Sequence, residues 1–240
     1  MQRLHLKFHG GGELEVHGSL SDRQVLVILG RENFRRDDPL VARLIAGFTA
    51  QNRTVARYQS EAVCTMRQIN PGWIDAWPRP VRRALKALLL LLHPTRWRHY
   101  SARYRAETVS IAYQAQSLRE LVRWLGPERE IVLLARSASA RVATRVADEV
   151  GVSKLVCLGY PFRHPDHGDE PDRYAHLVHL RTPMLIVQGK TDSYGGIETA
   201  GRYQFAPGTC IEWVETGHDF DLDETEWERV RPLIDTFIGR

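Results

Sequence analysis

One segment sets the architecture of this chain: Ile131-Val132-Leu133-Leu134-Ala135-Arg136-Ser137-Ala138-Ser139. Its four aliphatic residues predict a buried strand, and residues 140–148 that follow have the composition of a helix. Ser137 stands at the bend, where a sharp strand-to-helix turn pushes a serine hydroxyl out of a sheet. The segment therefore predicts a nucleophilic serine. The alternative is a serine that only caps the following helix.

The rest of the chain alternates between strand-like and helix-like segments around this turn. The first two strand candidates, 3–9 and 13–17, alternate polar and apolar residues and predict an antiparallel hairpin. Several later candidates are continuously apolar, as parallel strands covered on both faces are. We predict a three-layer α/β fold over residues 1–240, in one domain, with a mostly parallel eight-stranded sheet. The predicted strands lie at 3–9, 13–17, 25–29, 54–58, 131–134, 154–159, 184–188 and 210–214, with a helix at 39–50.

An insertion is predicted between strands four and five. About 70 residues separate these strands, whereas a strand-helix-strand unit needs roughly 30. The segment 109–124 is expected to supply the helix of that unit, which leaves residues 61–107 over. A helical insertion at the carboxyl edge of such a sheet is expected to form a lid. A helical hairpin packed on the side of the sheet is the alternative.

Two further residues follow apolar strands in the order that this serine context predicts. Asp192 comes after the strand 184–188, and His218 comes after the last strand. A histidine there is placed to act as a general base, and a carboxylate is placed to orient it. Asp166 and Asp169 are the alternative acids. His164 and His167 also lie in a loop that can reach the same edge.

The usual G-x-S-x-G pattern is incomplete, because Ala135 and Ser139 replace its glycines. Both replacements are small, which is what close packing around the turn requires. Ser139 fits the nucleophile position less well, because Arg141 would then occupy the second crowded position. We predict that the backbone N–H groups of Arg31 and Ala138 form an oxyanion hole. The H-G-G-G run at 9–12 lies in the first hairpin and is interpreted as a turn.

The composition of the chain is typical of a soluble globular protein. The 240 residues carry a formal charge of +4 and 43% hydrophobic residues, as soluble globular proteins do. Basic residues concentrate between 73 and 105, and a solvated face is expected there rather than nucleic-acid binding. The N-terminus lacks a signal-peptide core, and the longest aliphatic run, 88–92, is too short to span a bilayer. Three scattered cysteines predict buried free thiols in the cytoplasm. No cofactor motif and no metal-ligand spacing is found in the sequence.

The chain resembles the α/β-hydrolase superfamily over nearly its whole length. The resemblance rests on residues 159–165 and 180–192 and more weakly on 37–40. Within the superfamily it is similar to a branch close to the dienelactone hydrolases, which includes relatives of a subunit of the non-specific-lethal chromatin complex. The resemblance implies a catalytic triad of Ser137, Asp192 and His218. The chain departs from the pattern in three ways: the missing glycines, Leu29-Gly30 in place of the usual His-Gly pair, and the long insertion.

Together these features predict a serine hydrolase that cleaves a small-molecule ester, thioester or lactone through an acyl-enzyme. Gly30, Trp73, Trp77 and Tyr160 are predicted to contact the substrate, and arginines of the insertion would favour acidic acyl groups. One alternative is a binding or scaffold protein of the same fold without catalysis. Another is an amphipathic membrane-surface role for residues 80–93.

Overall fold

An eight-stranded sheet and six α-helices account for most of the regular structure in the computed structural model, which describes residues 1–8, 11–31, 38–92, 97, 100 and 107–239. The strands are β1 (Gln2–Leu6), β2 (Gly12–His17), β3 (Gln24–Leu29), β4 (Val55–Gln59), β5 (Glu130–Arg136), β6 (Lys154–Leu158), β7 (Met184–Gly189) and β8 (Thr209–Val214). The helices are α1 (Pro39–Ala50), α2 (Glu61–Ile69), α3 (Arg79–Leu91), α4 (Glu107–Leu125), α5 (Ala138–Val150) and α6 (Glu224–Gly239).

The strand order is β1-β2-β4-β3-β5-β6-β7-β8. β2 pairs antiparallel with both β1 and β4, whereas every pair from β4 through β8 is parallel. The carboxyl ends of β3, β5 and β7 therefore meet at one edge of the sheet. The predicted mostly parallel eight-stranded sheet is confirmed. The first hairpin turns after β1 ends at Leu6, earlier than expected, and His9 and Gly10 lie outside the described residues.

Helices cover both faces of the sheet, because side chains of successive strand residues alternate between the faces. Leu133 of β5 faces the layer of α4 and α5, where it packs with Leu121 and Val146. Its neighbour Leu134 faces the opposite layer, built on α1 and α6. Fully burying one such leucine stabilises the fold by about 1.5–3 kcal/mol. The predicted helical layers on the two sides are confirmed.

The helix α1 begins and ends where the sequence predicts. Asp38 caps it by accepting a hydrogen bond from the Leu40 N–H at 3.1 Å, and Pro39 takes the first helical position. This cap places the Asp38 carboxylate at the carboxyl edge of the sheet, beside the end of β3.

Between β4 and α4 the described chain is helical. α2 is followed by a 3-10 helix (Gly72–Ala76) and then by α3. Met66 and Ile69 of α2 pack with Leu90 of α3 in a small separate core. Residues 93–96, 98, 99 and 101–106 of the predicted insertion lie outside the described residues.

Two other sequence expectations are tested by burial and helix length. Cys64 and Cys157 are buried as predicted, but the prediction is wrong for Cys210, which is exposed on the edge strand β8. Among the described helices none has the length and apolar character that crossing a bilayer demands.

Candidate active site

Ser137 occupies a strained turn between β5 and α5. Its backbone has φ 54° and ψ −120°, a conformation that non-glycine residues rarely adopt and that costs about 1–3 kcal/mol. The Ser137 N–H donates to the Leu158 carbonyl at 3.1 Å, which fixes the turn to the end of β6. The side chain makes no capping hydrogen bond to α5, so the helix-cap alternative is wrong. Its Oγ instead lies 2.7 Å from Nε2 of His218.

Ala135 and Ser139, the small residues two positions before and after Ser137, support the turn in different ways. Ala135 is completely buried between β3 and β6. The Ser139 hydroxyl lies 3.0 Å from the carbonyl oxygens of Leu29 and Arg136, and it accepts from the Arg136 N–H at 3.0 Å. Ser139 therefore ties the turn to the end of β3, a contact that a glycine does not make. Its hydroxyl is buried in these contacts, as expected for a structural residue rather than a nucleophile.

Asp192 holds His218 from the other side. His218 Nδ1 lies 2.9 Å and 3.0 Å from the two carboxylate oxygens of Asp192, which is 1% exposed. Nδ1 therefore carries a proton and donates it in a hydrogen bond to the carboxylate. Nε2 is then free of a proton and accepts from the Ser137 hydroxyl. Gly189 makes this approach possible, because a Cβ there would lie 2.5 Å from the Thr216 carbonyl oxygen. The loops that carry Asp192 and His218 pack directly against each other at this glycine.

The alternative acids lie elsewhere. Asp169 accepts a hydrogen bond from the Tyr174 hydroxyl at 2.9 Å. The side chain of Asp166 is 84% exposed, 3.9 Å from His164. The rings of His164 and His167 stack on each other at 4.2 Å, and neither lines the cavity beside Ser137. Of the aspartates considered from the sequence, the structure brings Asp192 to His218.

A buried arginine behind Ser137 was not predicted from the sequence as part of the site. Arg136 is 1% exposed, and its Nη2 donates to the His218 carbonyl at 2.8 Å while Nη1 donates to the Leu158 carbonyl at 3.3 Å. Its Nε lies 3.4 Å from the Asp38 carboxylate, and its guanidinium stacks over Phe220. Burial lowers the pKa of Arg136 to about 10, and Asp38 opposes that shift. The sequence signal that could have revealed Arg136 is a charged residue directly after the apolar run 131–135 and directly before Ser137.

Gln188 supports Asp192 as Arg136 supports His218. It is completely buried at the end of β7, and its Nε2 donates to an Asp192 carboxylate oxygen at 3.1 Å. Its Oε1 accepts from the Tyr160 N–H at 2.7 Å. The Tyr194 N–H donates to the other Asp192 oxygen at 2.8 Å, and the Tyr194 ring lies 4.3 Å from the His218 ring. Both carboxylate oxygens are therefore held by donors, and one side of the imidazole is covered.

A cavity of about 960 Å³ opens on the Ser137 and His218 side chains. The apolar part of its lining includes Leu29, Val142 and Leu118. Its polar lining comes from β4, from α2 with its N-cap and from α4: Arg57, Gln59, Ser60, Arg67, Gln114 and Ser117. The cavity therefore offers both apolar and polar surface to a ligand.

The predicted oxyanion residues lie beside this cavity. Gly30 and Arg31 line it, and no atom lies within 4 Å of a Cβ built on Gly30. The Arg31 guanidinium binds Asp219 at 2.7 Å, which lowers the pKa of that carboxyl. Ala138 opens α5, so its N–H belongs to a helical turn that has no acceptor within the helix.

The predicted substrate contacts of three aromatic residues are not found. Tyr160 is completely buried and donates its hydroxyl to the Arg173 carbonyl at 2.6 Å, so its assignment to substrate binding is wrong. Its ring points into the core, 4.8 Å from Phe162, and burial raises its pKa. Trp73 and Trp77 are half-exposed on the surface, and neither lines the cavity. Tyr160 was predicted because it follows a strand end, and Trp73 and Trp77 were predicted because they lie in the insertion that was expected to cover the site.

Comparison with known proteins finds one matching protein family and many solved structures with a similar fold. The profile of the family described as "Alpha/beta hydrolase domain" matches residues 99–235, more than half of the chain. No curated protein sequence matches.

Three solved structures illustrate the similarity. A predicted CIB-like hydrolase from Thermoplasma acidophilum has 14% identity and a TM-score of 0.63, with 100% of this chain and 98% of that chain covered. An alpha-beta serine hydrolase homologue from Coxiella burnetii has 14% identity and a TM-score of 0.60, with 97% and 94% covered. An esterase domain from a Rhodothermus marinus protein has 14% identity and a TM-score of 0.59, with 99% and 98% covered. At this identity the similarity shows the fold.

Proposed function

This chain belongs to the α/β-hydrolase domain family, and we propose that it is a serine hydrolase that cleaves an ester, thioester or lactone through an acyl-enzyme. The observation that carries the proposal is the continuous contact from Ser137 Oγ to His218 Nε2, 2.7 Å, and from His218 Nδ1 to Asp192, 2.9 Å. This contact lies at the wall of a cavity large enough for a small acyl substrate.

In the proposed mechanism Ser137 Oγ attacks the carbonyl carbon while His218 Nε2 takes its proton. Asp192 stabilises the imidazolium that forms and keeps its orientation. His218 then returns the proton to the leaving group, and the acyl group stays on Ser137. Water then attacks the acyl carbon while His218 Nε2 takes its proton, and His218 returns this proton to Ser137 Oγ as the bond to the acyl group breaks and the acid leaves.

The negative charge that develops on the carbonyl oxygen needs donors. The proposed donors are the backbone N–H groups of Arg31 and Ala138, and each such donor is worth about 3 kcal/mol in the transition state. The position of Ala138 at the start of α5 supports this role, because the helix dipole also favours negative charge there.

Arg136 and Gln188 are proposed to position the triad. Arg136 holds the His218 backbone through its carbonyl, and Gln188 holds the Asp192 carboxylate. Both side chains are buried behind the residues they hold and away from the cavity, so neither is proposed to touch the substrate.

The insertion, residues 61–107, is proposed to act as a lid-like wall. Val63 and Arg67 of α2 line the cavity, which supports this role and gives a basic group to an acidic acyl substrate. Placement of the chain in the dienelactone-hydrolase-like branch remains a prediction from residues 159–165 and 180–192.

The competing hypothesis is a binding or scaffold protein that has lost catalysis, suggested by the missing glycines of the turn. It expects a broken contact between Ser137 and His218, or an Arg31 side chain in the oxyanion position. The 2.7 Å distance between the two side chains and the ion pair of Arg31 with Asp219 favour the hydrolase instead.

A panel of short-chain aryl esters, thioesters and lactones tests the proposal. We expect turnover of at least one class by the wild type and a loss of about 10³-fold or more in Ser137→Ala. Ser193→Ala is the matched control, because this serine lines the same cavity and its hydroxyl takes no part in the triad. Equal turnover by Ser137→Ala and Ser193→Ala would remove Ser137 from the mechanism.

A further inference from the structure

One exposed side of α3 is apolar. Val81, Ala84, Leu88 and Leu91 recur at spacings of three and four residues, which places them on one side of the helix. Val81, Leu88, Leu91 and the following Leu92 are between 37% and 65% exposed. A surface helix of a globular protein normally turns such a stripe toward the core. Here the stripe faces outward.

This orientation is fixed by the other side of the helix. Leu90 is 4% exposed and packs with Met66 and Ile69 of α2. Near the start of α3, Arg82 forms an ion pair with Asp75 at 3.3 Å. Rotation of α3 to bury the stripe would break both contacts. The outward apolar face is therefore a stable feature of the fold.

Two tryptophans precede the stripe, and basic residues lie on the other side of α3. Trp73 and Trp77 are 56% and 50% exposed just before α3. Tryptophan is enriched at the boundary between water and lipid, where one part of its ring is apolar and the N–H stays wet. From Trp73 to Leu92 the sequence holds four basic residues and one acidic residue, and Arg79 and Arg83 are exposed.

We propose that this surface docks on a membrane that contains anionic lipid. We call it the α3 face, and it consists of Trp73, Trp77, Val81, Leu88, Leu91 and Leu92. Exposed apolar side chains, tryptophans and cations on the polar side are the combination that holds a helix in the interface plane of a bilayer. The apolar residues enter the boundary of the acyl chains, and Arg79 and Arg83 meet the anionic headgroups.

A second copy of the chain fits the α3 face less well. In a two-fold dimer the same surface of each subunit meets itself, so two α3 helices, each with four basic and no acidic residues, would lie side by side. Like charges in an interface cost free energy, whereas an anionic bilayer turns the same charges into an attraction.

The α3 face lies close to the cavity at Ser137, so docking would bring the cavity to the membrane. α3 packs on α2, and Val63 and Arg67 of α2 line the cavity at Ser137. Docking places the cavity one helix away from the bilayer, where acyl compounds dissolved in the membrane are concentrated. The docking itself does not depend on the proposed chemistry.

Co-sedimentation of the full chain with vesicles tests the proposal. One set of vesicles contains phosphatidylcholine alone, and the other contains phosphatidylcholine mixed with phosphatidylglycerol. We expect binding to the mixed vesicles that weakens as salt is added. The double variant Leu88→Glu with Leu91→Glu should bind about tenfold or more weakly, because both side chains leave the apolar boundary.

The matched control is Ile197→Glu with Leu233→Glu, since these two residues are 48% and 38% exposed elsewhere on the surface. The control should bind as the wild type does, and circular dichroism checks that all variants are folded. Ser137→Ala should also bind normally, so a failed hydrolysis assay and a failed binding assay remain distinguishable.

Three results would overturn the proposal. They are no sedimentation with mixed vesicles, equal binding by the Leu88→Glu with Leu91→Glu variant, and a dimer in light scattering that this variant converts to a monomer. The last result would assign the α3 face to a second copy of the chain.

Discussion

Replacing Arg136 by methionine should destabilise the fold and slow catalysis together. Methionine keeps most of the apolar stem, although it is shorter, and removes the guanidinium. The carbonyls of His218 and Leu158 then lose their donor, and the Asp38 carboxylate, 13% exposed, loses its counter-charge. Removal of one partner of a buried ion pair costs about 3–5 kcal/mol. Because domains are stable by about 5–15 kcal/mol, the variant should remain folded but clearly weakened.

A double-mutant cycle separates the ion pair from the other contacts. Asp38→Asn keeps the cap on α1 but removes the charge, so the unpaired carboxylate disappears when it is added to Arg136→Met. The double variant should recover about 1–3 kcal/mol relative to additivity. Arg123→Met is the control for removal of an arginine. Its side chain is 56% exposed and pairs with Glu120 on the surface of α4, so the loss should be about 1 kcal/mol or less.

The assays are unfolding in urea and hydrolysis of the best ester from the panel. In Arg136→Met we expect kcat to fall about 10- to 100-fold, because a shift of the His218 backbone misplaces Nε2 relative to Ser137. The Michaelis constant should change little, since Arg136 does not line the cavity. A stability loss below about 1 kcal/mol with an unchanged kcat would refute the reasoning.

Three further predictions concern single side chains. Asp192→Asn should lower kcat about 10⁴-fold in the ester assay, because an amide no longer fixes the tautomer of His218; an unchanged rate would exclude the carboxylate from the triad. Ser139→Ala should cost about 1–3 kcal/mol in urea unfolding, since the Leu29 carbonyl and the Arg136 N–H lose their partner; Ser193→Ala, with no loss, is its control. Burial lowers the pKa of His176 from 6.5 to about 4. As the pH drops, this imidazole is protonated in the unfolded chain before it is protonated in the folded chain, so the free energy of unfolding should fall between pH 6.5 and pH 4. The slope from this group is at most about 1.4 kcal/mol per pH unit, and His176→Gln should flatten the measured urea midpoints across that window.

Much of the sheet could be predicted because its strands carry their own signals. The run 131–134 is continuously aliphatic, which indicates a strand buried on both faces, and it lies within β5. Pro39 after Asp38 marks the start of α1 for equally local reasons. The order of Ser137, Asp192 and His218 after successive strands also predicted that the three residues lie at one edge of the sheet, where the structure places them.

The supporting contacts could not be predicted, because they join residues far apart in sequence. The Arg136 guanidinium meets the His218 carbonyl across 82 positions, and no local pattern links them. The same holds for Ser139 and Leu29, which are 110 positions apart. Tyr160 was misassigned for a related reason. Its position after β6 suggested an exposed loop, but the loop folds back and buries the ring.

Local amphipathicity was informative in α3 but did not give its orientation. The spacing of Val81, Leu88 and Leu91 predicts one apolar side. Which side faces the protein depends on Leu90 and its contacts with α2. The structure turns the stripe outward, and the proposed docking surface rests on this observation.

The central claim is that Ser137 is a nucleophile activated by His218, and labelling with a fluorophosphonate tests it most directly. The account predicts one label per chain, located by peptide mass spectrometry on Ser137. It predicts no label in Ser137→Ala and much slower labelling in His218→Ala. A label on any other residue of the wild type, or undiminished labelling of Ser137→Ala, would contradict it.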